Sequence, residues 1–160
     1  MLNFDPTFDY ERARFFMKQA MREAQQAFDE GEVPIGAVVV KEGFVVGRGH
    51  NQTKRLNDPT AHAEILALGA ASSHFESWRL LDATIYATIE PCVMCAGASV
   101  MARVRRVVYG APDPKFGGCV SIFKIPTDTR LNHRVDVIGG VMADEAAELM
   151  RQFFARRRQE

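Results

Sequence analysis

Three candidate metal ligands, far apart in the sequence, constrain the fold of this chain more than any other feature. His62 supplies an imidazole, and Cys92 and Cys95 in the run Pro-Cys-Val-Met-Cys supply two thiols. Zn²⁺ takes such nitrogen and sulfur ligands in a tetrahedron, and a catalytic zinc site leaves the fourth position open for water. A fold that uses this set must bring two distant segments together on one metal ion.

Glu64 stands two residues after His62 and supplies the carboxylate that hydrolytic chemistry at such a site needs. Zinc lowers the pKa of its bound water to about 7, which makes hydroxide available at neutral pH. Attack on an electron-poor ring carbon also needs a group that takes the water proton, protonates the ring nitrogen and later protonates the departing amine. We assign this shuttle to Glu64, whose pKa burial can tune toward the working pH.

The first half of the motif is predicted to lie at a helix start. Asp58 or Thr60 is available as the helix cap, with a proline between them that the first turn tolerates. His62 and Glu64 would then lie in the first turn of helix 61–71.

The second half follows a strand that Glu90-Pro91 ends, and it opens a helix near residues 92–102. Cys92 and Cys95 are three residues apart, so they share a face of that helix. The positive end of the helix dipole also favours thiolate over thiol. The spacing therefore predicts two helix N-termini that converge on one metal ion.

Two other interpretations of these residues stay open. The cysteines can be ordinary buried side chains beside an unrelated histidine. Alternatively, Cys119 or His50 can close the coordination shell of a structural zinc site. Cys119 is also explained as a small buried hydrophobic residue.

The remaining chain predicts an α/β domain. Residues 1–8 are expected to form a loose arm and residues 9–160 a single zinc-dependent domain. An opening hairpin followed by alternating strands and helices predicts a mixed sheet of about five strands with helices on both faces. The predicted helices are 9–30, 61–71, 92–102 and 143–157, and the predicted strands are 35–40, 44–49, 83–89, 105–110 and 135–139.

Composition excludes several protein classes. The 160 residues are 47% hydrophobic and 25% charged, as in an ordinary globular domain. No apolar run approaches the roughly 20 residues that cross a bilayer, and the first nine residues contain neither Lys nor Arg. We therefore expect a cytoplasmic protein with no membrane association. Three cysteines, two of them in a metal motif, do not form a disulfide framework.

The net charge is zero, which argues against nonspecific nucleic-acid binding, but the basic residues are unevenly distributed. They are either solvated faces or local patches that contact phosphates. The two clusters are Arg103, Arg105 and Arg106, and then Arg151, Arg156, Arg157 and Arg158.

The motifs together resemble those of bacterial tRNA-specific adenosine deaminases. The order His-x-Glu…Pro-Cys-x-x-Cys is the zinc deaminase signature. Nearly the whole chain, from about Tyr10 to Arg158, carries the resemblance. The stretches involved are Gly31–Ala37, Pro59–Glu64, Glu90–Gly97, Arg106–Ala111, Leu131–Val135 and Phe153-Phe154.

The resemblance implies a three-layer α/β/α cytidine deaminase-like fold and deamination of adenosine to inosine at the wobble position of a tRNA anticodon loop. It implies one Zn²⁺ per subunit, a homodimer and a tRNA anticodon stem-loop as partner. With Glu64 as catalytic residue and His62, Cys92 and Cys95 as metal ligands, the implied substrate-binding residues are Val33, Asn51, Ala63, Asp113, Lys115, Asn132, His133 and Phe154.

Several of these assignments have plain structural alternatives. Asn51 can donate and accept hydrogen bonds at a purine edge, but it is also a common turn residue. Val33 can belong to the core, and His133 is equally well explained as a structural histidine. Of the adjacent Phe153 and Phe154, we expect one to pack inward and the other to support a base.

The loop over residues 110–118 departs from the family at Phe116, as the chain does shortly after at Val120, since these positions are often small or polar in the family. This loop is either an irregular connection or an RNA-binding segment that carries Asp113 and Lys115. Two other functions remain: a free-base or nucleoside deaminase of the guanine or cytosine type, and a non-catalytic RNA-binding module that keeps zinc for stability.

Overall fold

A computed structural model describes residues 5–160, and in this range a five-stranded sheet lies between two layers of helices. The predicted order of elements and the three-layer fold are confirmed. None of the helices in residues 5–160 combines the length and the apolar composition that a membrane span needs. The elements are α1 (Tyr10–Asp29), β1 (Gly36–Lys41), β2 (Phe44–His50), α2 (Ala63–Phe75), β3 (Thr84–Ile89), α3 (Val93–Met101), β4 (Arg106–Ala111), β5 (Asp136–Ile138) and α4 (Ala143–Arg157).

The sheet is buried on both faces because successive side chains of its inner strands point to opposite sides. In β1, Ala37 and Val39 belong to the core beneath α2 and α3. Val38 and Val40 belong to the core beneath α1. The continuous apolar run of this strand therefore stabilises two helical layers at once.

Helix α2 lies unusually close to the sheet because β2 has glycines on the facing side. A Cβ added at Gly49 would fall 2.7 Å from the backbone nitrogen of Ala67 and 3.0 Å from the Cβ of Leu66. Gly47 meets the next turn of α2 in the same way, with Ala71 nitrogen at 2.8 Å. The missing side chains let the helix rest on the strand backbone, which fixes the position of the helix start.

The strand directions gather several loops at one edge of the sheet. The strand order is β2-β1-β3-β4-β5, and β1 is antiparallel to both of its neighbours. β3, β4 and β5 are parallel. Consequently β2, β3 and β4 all end at the same edge, which we call the carboxyl edge. The segments that follow these strands begin with Asn51, Glu90 and Pro112.

The expected N-terminal arm lies partly outside the described residues, which begin at Asp5. Within residues 5–8, the Asp5 carboxylate accepts hydrogen bonds from the backbone and hydroxyl of Thr7. Phe8 packs edge-on against Tyr10, with ring centroids 4.9 Å apart, and the Arg106 guanidinium lies 5.1 Å from its ring centroid. These last residues before α1 therefore pack on the domain.

Candidate metal centre and active site

The three predicted ligands converge at the carboxyl edge. His62 Nδ1 lies 3.5 Å from the Cys92 sulfur and 3.6 Å from the Cys95 sulfur. The ligand atoms of these three residues, which we call the metal group, all lie within 4.8 Å of one another. In tetrahedral zinc, bond lengths near 2.1 Å to nitrogen and 2.3 Å to sulfur place these atoms about 3.6 Å apart. The donor set and its spacing therefore fit a zinc ion.

Two helix N-termini hold these ligands. His62 is the N-cap residue of α2, and Cys92 is the N-cap residue of α3, with Cys95 in its first turn. Neither cap residue makes a side-chain capping hydrogen bond, so both side chains are free to face the metal group. The N-terminal ends of both helix dipoles stabilise negative charge on the sulfurs.

The predicted cap of α2 is wrong. Asp58 does not cap the helix, because its carboxylate accepts hydrogen bonds from the backbone and hydroxyl of Thr60 at 2.8 and 2.7 Å. The helix begins at Ala63, so His62 lies just before the first turn and not inside it. The local Asp-Thr turn competes with capping, and it directs the chain into the ligand position.

The three ligand side chains shift one another's pKa values through hydrogen bonds and electrostatic interactions. Hydrogen bonds from Cys95 and His62 lower the pKa of Cys92 to about 4, although burial opposes this change. The contact with Cys92 raises the pKa of His62. The pKa of Cys95 is raised because its thiol donates to Cys92 and because it is buried. The lowered pKa favours the thiolate form of Cys92, and metal binding to both sulfurs would release a proton from Cys95.

Glu64 is 4% exposed, and its Oε1 atom has no hydrogen-bond partner among the described residues. Burial raises the pKa of this carboxyl group. Burying a polar atom without a hydrogen-bond partner costs free energy. The Glu64 carboxyl group is therefore better explained as a reacting group than as a structural contact. Together with the donor set, this orphaned oxygen fits a metal centre that handles a water molecule.

Neither candidate for a fourth protein ligand joins the group, which has three members within residues 5–160. Cys119 is buried in the core between the sheet and the α2–α3 layer. The ring nitrogens of His50 lie 3.4 Å from Glu23 and 2.9 Å from Glu30. The geometry favours an open catalytic site over a closed structural one.

Three predicted substrate-binding residues lie at the same edge. Asn51 directly follows β2 and is largely buried, and its side-chain amide makes no hydrogen bond within residues 5–160. Val33 is half-buried ahead of β1. Ala63 is a core residue between His62 and Glu64, so it can reach a ligand only through its backbone. Asn51 therefore offers a free donor and acceptor near the metal group.

Two predicted residues share a surface: Lys115, in the segment that follows β4, and Phe154 on α4. α4 runs alongside α1, with Glu145 near Arg14 and Arg156 near Phe28, so its C-terminal part reaches the carboxyl edge. Phe153 packs inward and Phe154 is 41% exposed, as the sequence predicted. The open groove that we call the α4 groove is lined by Lys115, Met150, Arg151, Phe154, Ala155, Arg157 and Arg158.

Asp113 has a more local role than the sequence suggested. Its carboxylate accepts hydrogen bonds from the backbone N–H groups of Lys115 and Phe116 at 3.0 and 3.1 Å. These bonds form a turn that presents the two following side chains at the surface. The structure thus shows Asp113 shaping the loop.

The other predicted contacts lie at the opposite edge. Asn132 accepts a hydrogen bond from Arg103, and the His133 ring lies 2.8 Å from the carbonyl oxygen of Val104. Val104 follows the C-terminal end of α3, and α3 has nine residues, which span about 14 Å from the metal ligands. Arg106, at the start of β4, pairs with Asp136. Within one chain the structure does not bring these residues to the metal group.

Two buried carboxylates at the carboxyl edge were missed by the sequence analysis. Glu32 accepts hydrogen bonds from Thr53, Lys54 and Arg55, in the loop that leads to His62. Glu90 accepts hydrogen bonds from the loop after β4. Burial alone would raise the pKa of Glu90, but the hydroxyl of Ser121 and the loop N–H groups lower it. For Glu90, the available signal in the sequence was a charged residue directly after the apolar strand β3.

Fold and site together define a deaminase with a candidate metal centre. The MafB19-like deaminase family matches residues 11–158 of the chain. This match covers the two helix starts, the carboxyl edge and α4, so the class applies to the whole described domain.

Individual relatives narrow the class. The chain is 46% identical over 152 residues to a tRNA-specific adenosine deaminase of Streptococcus pyogenes serotype M18, covering 95% of this chain and 96% of the relative. A tRNA-specific adenosine deaminase of Aquifex aeolicus is 44% identical over 144 residues, covering 90% and 95%. A solved structure from a study of A-to-I editing by tRNA:A34 deaminases superposes with a TM-score of 0.81 at 44% identity, covering 84% of this chain and 98% of that one. The chain belongs to the tRNA-specific adenosine deaminase family, as its motifs indicated.

The open site makes a testable prediction about metal content. Cys92→Ala should lose the bound metal and lower the melting temperature, because metal binding is coupled to folding. Cys119→Ala should keep one metal ion per chain, since its sulfur lies in the core and outside the ligand group. Elemental analysis of both purified variants measures this. Loss of metal from Cys119→Ala would show that the site is closed by four protein ligands.

Proposed function

We propose that this protein is a zinc-dependent hydrolase that converts adenosine to inosine at the wobble position of a tRNA anticodon loop. One observation carries the chemistry: a His-Cys-Cys group with the spacing of a tetrahedral metal site lies beside a buried carboxylate with a free oxygen. The relatives named for this activity at 44–46% identity support the substrate. An enzyme that acts on tRNA would work in the cytoplasm, which is the compartment we propose.

His62, Cys92 and Cys95 would hold one zinc ion per subunit. When bound, zinc would polarise a water molecule and lower its pKa toward neutrality. Glu64 would accept a proton from the attacking water and deliver it to the adenine ring nitrogen next to the reacting carbon, while the water oxygen forms a bond to that carbon. Glu64 then transfers the second proton to the exocyclic nitrogen, which leaves as ammonia while a carbonyl oxygen takes its place. The carboxyl group returns to its starting state, so the sum is adenosine plus water giving inosine plus ammonia.

Asn51 orients the base in this proposal. Its side-chain amide presents a donor and an acceptor at the carboxyl edge, which matches the mixed hydrogen-bonding edge of a purine. Val33, and the backbone at Ala63, would border the base on the other sides. Burial of the Glu64 side chain would strengthen its interaction with the developing charge.

A base inside an RNA loop must be unstacked before it reaches a buried site. The α4 groove supports this step because it joins cationic side chains, which neutralise phosphates, to an exposed aromatic ring. Lys115, Arg157 and Arg158 would contact the backbone of the stem-loop, and Phe154 would stack on a flanking base, a contact worth about 1–3 kcal/mol. Asp113 would contribute by holding the turn that presents Lys115.

A homodimer is the assembly that we propose. Helix α2 is apolar around its whole circumference, yet only one side of it faces the sheet. The uncovered side continues onto α3 and forms an apolar surface that includes Ile65, Leu68, Trp78, Ala98 and Met101. An exposed apolar face of this kind is typical of a protein–protein interface. Asn132 and His133, at the other edge of the sheet, would reach the same stem-loop only from the second subunit.

The function is tested by mass spectrometry of an anticodon stem-loop after incubation with the zinc-loaded enzyme. The wild type should produce inosine at the wobble position. Glu64→Gln should keep its zinc but lose about 10²–10⁴-fold in turnover, because the amide cannot move protons. Free guanine and cytosine serve as parallel substrates, and turnover on either that rivals the RNA rate would favour the free-base deaminase instead.

The α4 groove predicts a separable effect on RNA recognition. Phe154→Ala should raise KM for the stem-loop about 5- to 100-fold through lost stacking, with a smaller change in kcat. Phe44→Ala is the matched control, because Phe44 is 73% exposed but lies at the start of β2, on the edge away from the metal group. Equal KM values for the two variants would contradict the proposed RNA path.

The dimer proposal predicts sensitivity to charge on the α2–α3 face. Met101 is 71% exposed in the single chain, and Met101→Glu would bury an unpaired carboxylate if this face is an interface. We expect the dissociation constant to rise by about 100-fold or more. Analytical ultracentrifugation at micromolar concentration measures it, with Phe44→Glu as the control. A wild-type monomer at that concentration would count against the assembly.

A further inference from the structure

Glu90 is a buried carboxylate with no assigned part in the chemistry. It is 2% exposed, lies directly after β3, and precedes the metal ligand Cys92 by two residues. Both of its oxygens are fully engaged. Oε1 accepts hydrogen bonds from the backbone of Asp113 and the hydroxyl of Ser121, and Oε2 accepts from the backbone N–H groups of Cys119, Val120 and Ser121 at 3.2, 2.9 and 3.0 Å.

These donors come from the two ends of one segment, residues 112–121, which we call the β4 loop. Asp113 lies near its start, and three consecutive N–H groups lie at its end. Hydrogen bonds to an ionised carboxylate are shorter and stronger than those between neutral groups. A single side chain therefore closes the loop, and the β4 loop has no helix or strand of its own that would otherwise fix its shape.

The closed loop contacts the backbone of Pro91 and Cys92, which we call the metal-ligand turn. The Gly118 N–H donates to the Pro91 carbonyl at 2.8 Å, and Gly117 forms a β-bridge with Cys92. A Cβ added at Gly118 would lie 2.8 Å from the carbonyl carbon of Cys92, so the approach depends on glycine. The contact leaves no room for the loop to shift without moving the Cys92 backbone.

The same loop carries side chains on its outer surface. Lys115 lines the α4 groove, and Phe116 is 65% exposed beside it. The turn that presents both of them is made by Asp113, whose own N–H donates to Glu90. One continuous set of hydrogen bonds therefore runs from the metal-ligand turn through Glu90 to the exposed tip of the loop.

We propose that Glu90 is a positioning residue that ties the RNA-facing β4 loop to the metal-ligand turn, so that RNA contacts on the loop stay in register with the metal centre. This inference rests on the proposed function for its substrate, an RNA stem-loop. Glu90 does not touch the reacting atoms, and it acts through the loop.

Glu90→Gln is the informative variant because it keeps size and one carbonyl oxygen but places an NH₂ group against N–H donors. In the zinc-loaded protein, hydrogen–deuterium exchange of residues 113–121 should accelerate by about tenfold or more, since opening of the loop becomes easier. Exchange in β3 and α3 and the zinc content should stay as in the wild type. Ser121→Ala, which removes a single donor, should give a smaller change in the same direction.

The consequence for substrate is read as a split between KM and kcat. We expect Glu90→Gln to raise KM for the anticodon stem-loop about tenfold, with kcat changed by less than about threefold. Asp9→Ala is the control for general destabilisation, because it removes the N-cap of α1 far from the metal group. It should lower the melting temperature without changing KM or exchange in the β4 loop.

Each outcome decides the proposal. Unchanged exchange in the β4 loop, an unchanged KM despite faster exchange, or loss of activity in proportion to zinc would each overturn it. If the wild type binds the stem-loop but makes no inosine, the proposed function fails. In that case fluorescence anisotropy with the labelled stem-loop replaces KM: weaker binding by Glu90→Gln supports the positioning role, and equal binding overturns it. No binding by the wild type overturns both proposals.

Discussion

The meeting of two helix N-termini at one edge of the sheet is the constraint on which the rest of this structure depends. His62 and Cys92 are both N-cap residues, and neither satisfies its own helix end. The metal group exists only because the parallel directions of β2 and β3 bring the two following segments to the same side. The glycines of β2 then let α2 approach closely enough for His62 to meet the two sulfurs.

Three carboxylates are buried around this edge, and their surroundings give them different roles. Glu32 and Glu90 are saturated by N–H and hydroxyl donors from the loops that they hold. Glu64 has a raised pKa and an oxygen without a hydrogen-bond partner in residues 5–160. The hydrogen bonds fix Glu32 and Glu90 as anchors of these loops, whereas the unpartnered oxygen and raised pKa of Glu64 suit a group that exchanges a proton. The fold thus gives one side-chain type two different surroundings, which in the proposed function separate loop anchoring from proton transfer.

In the proposed function, recognition and chemistry lie on different elements that meet at the carboxyl edge. The candidate metal ligands and Glu64 lie at the starts of α2 and α3, at the carboxyl edge of the sheet. The basic and aromatic groups belong to the β4 loop and to the end of α4, which face the solvent. Such a division would let the reacting groups stay fixed while the surface adapts to a large polymer.

Much of the site could be predicted from the sequence because its signals are local. The order of His62, Glu64, Cys92 and Cys95 names the chemistry, and apolar periodicity located every helix and strand within a few residues. Where local signals competed, the prediction was wrong. Asp58 is a residue type that commonly caps helices. Its carboxylate instead accepts a hydrogen bond from Thr60, which is closer in the chain than the N–H groups of α2. Glu90 was passed over because its donors are about 20 to 30 residues away along the chain.

The sequence by itself determined the candidate metal ligands, the position of Glu64 beside them and the alternation of strands and helices, since each of these follows from residue types at short spacing. Only the tertiary structure decided which charged and polar side chains lie at the carboxyl edge. Arg157 and Lys115 are there, whereas Arg106, Asn132 and His133 face the other way. The reason is physical: strand direction and the course of α4 set the edge that a residue reaches, and both are fixed by packing between segments far apart in the chain.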